Sequence, residues 1–469
     1  MNKQDNEQSM TKKTLIYLAG NFSSKIFSVI IIPVYAKYLS ASELGSYDYQ
    51  QTIANLLMPV IALAIWESIL RFGLKAGTQE LNRILSTATI ISFVTLTISF
   101  FVLSLIYSNL YGFNTLSFLY VTMIIFMPIV TILGYMTRAV KANKVFAISG
   151  IVSSIINMVG ILIFVVGMNM GIYGLLISTI FSNIFNSLVL LIGANLTSHL
   201  KIKYFDFILG KELIKFSIPL IFNLVFGWFV NSFSRFYINL SLGSTANGIY
   251  AFGSKFSGIL LQFAQIINMS AIEDAIISSN TNQFVSRFEK NIENITSLFF
   301  KICFVLMPVV AIYYNFINNK DFKSSLVLVP ILLLVAILNN TSTLIGNIFP
   351  VFNKTSKAFV TSLAAGLTNV VFSVILGQYI GLIGVCLAQV ISTITLVISR
   401  YIMGNQIVKY KVNWKKFISN SCIFLVISVV SILGNYIVQI VIFIITFVHL
   451  CIHYKNWIVY QVNKLLLKK

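Results

Sequence analysis

Charge is what this chain has least of. Asp, Glu, Lys and Arg make up 10% of its 469 residues, hydrophobic residues 57%, and the mean hydropathy is +0.89. Soluble domains carry roughly 25% charged residues. A soluble chain of this length would form about three domains, and there is not enough charge here to coat them. That excludes a soluble, secreted or disordered protein and leaves a polytopic membrane protein. Cysteine is sparse and unpatterned. Cys303, Cys386, Cys422 and Cys451 stand singly in apolar runs, with no C-x-x-C or Cys/His spacing for a metal or disulfide framework. His199, His449 and His453 are isolated, so no His cluster points to catalysis. Acid is the scarcer sign of charge: 13 Asp and Glu against 33 Lys and Arg, a net +20. In a soluble protein that excess would suggest nucleic acid as a partner. Here it calls for another explanation.

What is present is apolar runs. A bilayer core takes about 20 residues of helix. Fourteen candidate spans can be read: 14–36, 47–70, 84–107, 115–137, 146–167, 171–193, 211–233, 245–270, 294–315, 324–349, 358–378, 381–400, 417–433 and 436–453. The first follows Lys12 and Lys13 and lacks a small-residue cleavage site, so it reads as a retained span. With both termini in the cytoplasm, 25 of the 33 Lys and Arg fall in cytoplasmic segments and 4 in external ones. The other four, Lys25, Lys215, Lys255 and Lys301, lie inside or at the ends of spans. This bias fits the rule that cytoplasmic loops are basic, and reading 417–453 as a hairpin preserves it. No external connection is long enough for a catalytic domain.

The chain repeats itself. Leu39-Ser-Ala-Ser-Glu-Leu-Gly45-Ser-Tyr47 follows span 1, and Leu242-Gly-Ser-Thr-Ala-Asn-Gly248-Ile-Tyr250 follows span 7, with Leu, Gly and Tyr matched at an offset of 203. Gly167, Gly171 and Gly174 recur as Gly377, Gly381 and Gly384, and Asn143-Lys144 as Asn353-Lys354, both at an offset of 210. The expected fold is therefore all-α, with two parallel six-helix lobes around a central cavity. Residues 1–200 form the N-lobe, 201–405 the C-lobe, and 406–469 a further helix pair with a basic tail.

Polar residues inside the spans mark the candidate site. Lys25 lies about 16 Å along span 1, near mid-membrane. Asn21, Ser24 and Ser28 share its helical face. Lys255 is at similar depth in span 8, with Ser254, Gly258, Gln262 and Gln265 on its side. Span 7 carries Asn223, Gly227, Asn231 and Ser234 as a stripe leading to Arg235, which suits either an outer mouth or an interfacial anchor. Lys301 lies near a span end, where snorkelling explains it. Glu67 and Arg71, four residues apart near the end of span 2, are expected to form a structural ion pair. Asp48 is at the outer edge of span 2. Cations without cancelling acids favour an anionic ligand in a low-dielectric cavity.

Three features together resemble a known group. They are Leu39-Ser-x-x-Glu43-x-Gly45, Trp66-Glu67-Ser-x-Leu-Arg71-Phe72 and the Gly171-x2-Gly174 turn. In order and spacing they are similar to the polysaccharide-unit flippases of O-antigen, capsule and teichoic-type pathways. These belong to the multidrug/oligosaccharidyl-lipid/polysaccharide exporter superfamily. The resemblance covers spans 1–12. It implies a cavity between helices 1, 2, 7 and 8, and a cargo of undecaprenyl-diphosphate-linked sugar units carried from the cytoplasmic to the outer leaflet of the bacterial cytoplasmic membrane. It implies basic residues in helices 1 and 8 as diphosphate contacts. Here these are Lys25 and Lys255, which act as point charges and not as bidentate forks. The drug-exporting branch uses a buried acid in helix 1, and this chain has Lys25 there.

The function expected is that of a flippase and not an enzyme. A small-solute or multidrug antiporter of the same fold, which would need an acid near mid-membrane, is the first alternative. A glycan polymerase, which would need a large external loop or an acid/His/Arg cluster, is the second. No cofactor is expected, and the membrane potential, H+ or Na+ are the candidate energy sources. Expected partners are the lipid bilayer, the lipid-linked glycan, and the polymerase and glycosyltransferases of its pathway, with no nucleic acid.

Overall fold

The computed structural model describes residues 30–279 and 281–453. Among these there is no β-strand. The long helices are α1 (Ile32–Tyr38), α2 (Ala41–Ile61), α3 (Ile65–Gly73), α4 (Thr78–Tyr111), α5 (Thr115–Ala139), α6 (Asn143–Gly160), α7 (Gly171–Gly193), α8 (Phe207–Asn231), α9 (Phe233–Ser278), α10 (Phe284–Asn315), α11 (Leu328–Gly346), α12 (Thr355–Asn405), α13 (Trp414–Leu433) and α14 (Tyr436–His453). A π-helical turn, Ile161–Gly167, prolongs α6.

Ten helices among the described residues are long and apolar enough to cross a membrane, or eleven if the bent pair α2–α3 counts as one span. The 51-residue α12 is a single helix in that count, yet it breaks at Gly381 (φ 63°, ψ −136°) and holds both runs expected at 358–378 and 381–400. The run expected at 14–36 lies mostly outside the described residues. Large apolar side chains face outward along these helices, Phe93, Phe101, Leu105 and Ile445 among them. An apolar belt of this kind suits hydrocarbon as its solvent.

Local signals explain where helices begin. Ser40 and Glu43 form a capping box at α2: the Ser40 hydroxyl accepts from the Glu43 N–H at 3.2 Å, and the Glu43 carboxylate accepts from the Ser40 N–H at 2.9 Å. The second Glu43 oxygen accepts from the Ile172 N–H at 3.2 Å, which ties this turn to the start of α7. Gly171 (φ 53°) has no room for a Cβ, because the Glu43 carboxylate stands there. Asn114 caps α5 with Ser117, and Asp206 caps α8. The least expected feature is a 57° bend between α2 and α3. Leu63 and Ala64 both take left-handed backbone (φ 49° and 44°), at about 1–2 kcal/mol per residue. Pro59, which lacks an N–H, lies just before the bend.

The chain divides into two compact units between Gly248 and Ile249. The first has a core of Ile65, Ile69, Ile84, Leu85, Met123, Ile124 and Met136. The second packs Phe284, Phe288, Ile345, Phe349 and Tyr410 together. In the second unit the α13–α14 hairpin is fastened to α10 at both ends. Lys416 Nζ meets Glu293 at 2.7 Å, and Asn315 donates to Gln439 at 2.6 Å.

The sequence repeat has matching hydrogen bonds. The Tyr47 hydroxyl bonds to Thr179 at 2.7 Å, and Tyr250 accepts from Gln389 at 2.8 Å. Ser182 donates to the Ser153 carbonyl at 2.8 Å, and Ser392 to the Ala365 carbonyl at 2.7 Å. The tyrosines are 203 residues apart, and the pairs 179/389 and 182/392 are 210 apart. These are the two offsets of the sequence repeat. Gly171 and Gly381, also 210 apart, both have positive φ.

Candidate functional site

Lys25, Asn21 and Ser24 lie outside the described residues. The other candidates fall on α3, α8 and α9. On α8, Asn223 and Asn231 are exposed, and nothing lies within 4 Å of a Cβ built on Gly227 between them. The Asn231 side chain donates to the Gly227 carbonyl at 2.9 Å. Another face of α8 packs through Trp228, which is buried and donates its indole N–H to the Thr52 carbonyl of α2 at 2.9 Å. The asparagine stripe is thus left open while its helix is held by a buried tryptophan.

On α9, Lys255 is half-buried and Ser254 beside it is buried. A Cβ on Gly258 would again meet nothing within 4 Å. Gln262, one turn on, has a buried Oε1 with no hydrogen-bond partner among the described residues. A buried carbonyl oxygen left without a donor costs about 1–3 kcal/mol, so this oxygen is suited to accept from a ligand or a water.

Arg235 is not simply an anchor. Its guanidinium meets Asp48 Oδ1 at 3.1 Å, with the Asp48 side chain 11% exposed. The sequence placed Asp48 and Arg235 at the outer edges of different spans, and the fold joins them. The positive charge at the start of α9 is therefore locally neutralised.

Glu67 and Arg71 do not pair, contrary to expectation. Among the described residues no ion pair joins them. Glu67 accepts from the Trp66 indole N–H at 3.1 Å. Arg71, exposed, stacks on Phe216 with its guanidinium 5.0 Å from the ring centre. The i,i+4 spacing allows a pair but does not compel one. Here the acid takes the neighbouring Trp66 indole N–H, and the Phe216 ring of α8 takes the cation. On α5, Arg138 lies over the Tyr135 ring at 5.2 Å.

Sequence reasoning missed the contact between the two copies of the motif. A Cβ on Gly45 would fall on the Ser244 carbonyl oxygen, and one on Gly248 would fall on the Ala41 carbonyl oxygen. Around this backbone crossing, Ser42 and Ser244 share a hydroxyl hydrogen bond at 2.8 Å, and Asn247, fully buried, donates to the Gly45 carbonyl at 2.8 Å. The repeated glycine was the available signal. Its spacing from Ala41 and Ser244 is small-x3-small in both copies, a pattern that lets helix backbones approach closely.

The polysaccharide biosynthesis protein family matches residues 10–272 of the chain, more than half its length. The chain belongs to this family. A stretch of 76 residues is 32% identical to protein 1 of the Lsg locus of Haemophilus influenzae. It spans 16% of this chain and 19% of that protein, so the match covers about a fifth of the relative's length. The fold is similar to those of solved transporters. A structure of the lipid II flippase MurJ in an inward closed conformation matches with a TM-score of 0.70 at 17% identity, covering 95% of this chain and 100% of that one. An inward-facing multidrug resistance MATE transporter of the MOP superfamily matches with a TM-score of 0.65 at 13% identity, covering 84% of this chain and 97% of the other. The twentieth of this family member left unmatched by MurJ is shorter than its α13–α14 hairpin, so part of the hairpin lies within the shared fold.

Proposed function

We propose that this protein is a flippase that moves undecaprenyl-diphosphate-linked oligosaccharide units from the cytoplasmic to the outer leaflet of a bacterial cytoplasmic membrane by alternating access. It does so through fourteen spans, with both termini cytoplasmic and six-helix repeats at 1–200 and 201–405. The observation that carries the reading is membership of the polysaccharide biosynthesis family in a chain with the fold of a lipid-linked-precursor flippase. The physical task is to take a polar, anionic head through hydrocarbon, where unpaired charge and polar groups are costly. Lys25 and Lys255 supply positive charge to the diphosphate. Asn21, Ser24, Asn223, Asn231 and Gln262 offer hydrogen bonds to sugar hydroxyls, and the open space beside Gly227 and Gly258 favours this use. Arg235, held by Asp48, contributes less charge to the anion than the two lysines. No covalent step is needed. The membrane potential acts on any net charge moved and is a sufficient energy source in kind.

The test is Lys25→Ala and Lys255→Ala in cells that depend on this protein for surface glycan. Loss of glycan with accumulation of the lipid-linked unit inside, at equal protein levels, is the expected result. Normal glycan from both variants would refute the assignment of the site.

A further inference from the structure

The crossing of the two motif copies is symmetric in its residues. Ala41 meets Gly248, and Ser244 meets Gly45. Ala41 and Ser244 are 203 residues apart, as are Gly45 and Gly248. Each copy therefore offers the same two positions to the other, as the halves of a two-fold interface do. A simple helix crossing needs small residues on both sides but not the same register on both sides. The added contacts are polar and can reopen: the Ser42–Ser244 hydroxyl pair, the Asn247 amide on the Gly45 carbonyl, and the Asp48–Arg235 ion pair nearby. Each motif then ends in a tyrosine, and each tyrosine is tied to a helix of its own repeat, Tyr47 to Thr179 of α7 and Tyr250 to Gln389 of α12.

From this we infer that the repeated Leu-x5-Gly-x-Tyr motif is a clasp. Its small residues close the external end of α2 against residues 244–248 by backbone contact, and its tyrosine transmits the movement of each repeat to its own half of the clasp. The motif is duplicated because both halves of a pseudo-two-fold contact must present it. Parting the serine and asparagine contacts leaves hydroxyls, an amide and a carbonyl that water at the external surface can satisfy, and parting the Asp48–Arg235 pair leaves a carboxylate and a guanidinium that must be hydrated there. That the external side is meant, and that opening releases cargo, rests on the transport reading above. The contact itself does not.

The experiment uses the full chain in membranes with Cys303, Cys386, Cys422 and Cys451 replaced. Ser42→Cys with Ser244→Cys is expected to form an intrachain disulfide in most molecules under mild oxidation, to stop transport, and to recover on reduction. A disulfide-linked protein that transports at the full rate overturns the clasp. Failure of the disulfide to form overturns it as well. Independently of transport, Ser42→Cys alone is labelled with a membrane-impermeant maleimide added outside. Gly248→Leu, which forces a side chain into the Ala41 carbonyl, is expected to raise the labelling rate at least tenfold. Gly150→Leu on α6, where a Cβ also meets nothing within 4 Å, leaves it unchanged. Equal labelling in parent and Gly248→Leu overturns the proposal. A chain that shows the disulfide and the labelling change, but moves no glycan even as parent, refutes the flippase reading and leaves the clasp standing.

Discussion

The Asp48–Arg235 pair gives an asymmetric prediction. Asp48 is 11% exposed and Arg235 36% exposed, and Asp48 Oδ2 has no hydrogen-bond partner among the described residues. Arg235→Gln strands a buried carboxylate. Removing one partner of a buried pair costs about 3–5 kcal/mol, and the partial exposure on the arginine side moves the expected value to the low end, ~3 kcal/mol. Asp48→Asn leaves a cation that can extend toward water, so its cost is that of an exposed pair, about 1 kcal/mol. The double variant carries no stranded charge and is expected to cost about 1–2 kcal/mol. The coupling energy is then about 2 kcal/mol, roughly thirtyfold in the unfolding equilibrium. The assay is reversible unfolding by SDS in mixed detergent micelles, with Trp66, Trp414 and Trp457 replaced by Phe in every variant compared, followed by the fluorescence of Trp228, whose helix reports on α2. Equal costs for the two single variants, adding within about 0.5 kcal/mol in the double, would refute a structural pair. Arg235 would then return to the ligand-contact role that its position suggested.

Gln439 is buried, accepts from Asn315 at 2.6 Å and donates to the Ser431 carbonyl at 3.0 Å. Gln439→Leu leaves the Asn315 amide without that acceptor at about 1–3 kcal/mol. Proteolysis in detergent is expected to speed up at the Gly434–Asn435 turn, and unchanged protection would contradict the fastening of the hairpin. Asp206 is held below the usual carboxylate range, first by the Leu209 N–H and then by Arg83. Its folded value is depressed, so its contribution is present above the unfolded value of about 4 and fades as pH falls through the lower folded one. Melting of wild type should therefore drop toward that of Asp206→Ala as pH falls below about 4, and a constant gap down to pH 2 would contradict it.

The ten or eleven spans among the described residues were legible because each is a long apolar run, and partition into hydrocarbon is a property of the run itself. The break at Gly381 was legible too, since Gly167-x3-Gly171 repeats as Gly377-x3-Gly381. The bend at Leu63 and Ala64 was not. No glycine marks it, and two ordinary residues are held in left-handed backbone by the packing around them. The Glu67–Arg71 pair shows the limit of spacing arguments. Helical geometry brought the two within reach, but the acid accepts from Trp66 beside it, and the cation lies over Phe216, 145 positions along from Arg71. Of the residues singled out, Asn223 and Asn231 stand exposed on α8 with open space beside Gly227, while on α9 Ser254 and the Gln262 Oε1 are buried. The neutralisation of Arg235 could not be read, because Asp48 is 187 residues away.

The sequence alone determined that this is a membrane protein, which loops are basic, and that its first half is echoed in its second. Those are sums and periods over neighbouring residues, and hydrophobic partition and helix geometry act on neighbours. Only the tertiary structure decided that the two echoes lie on one another, Ala41 on Gly248 and Ser244 on Gly45. A glycine permits close approach, but which backbone approaches it depends on the path of some two hundred intervening residues.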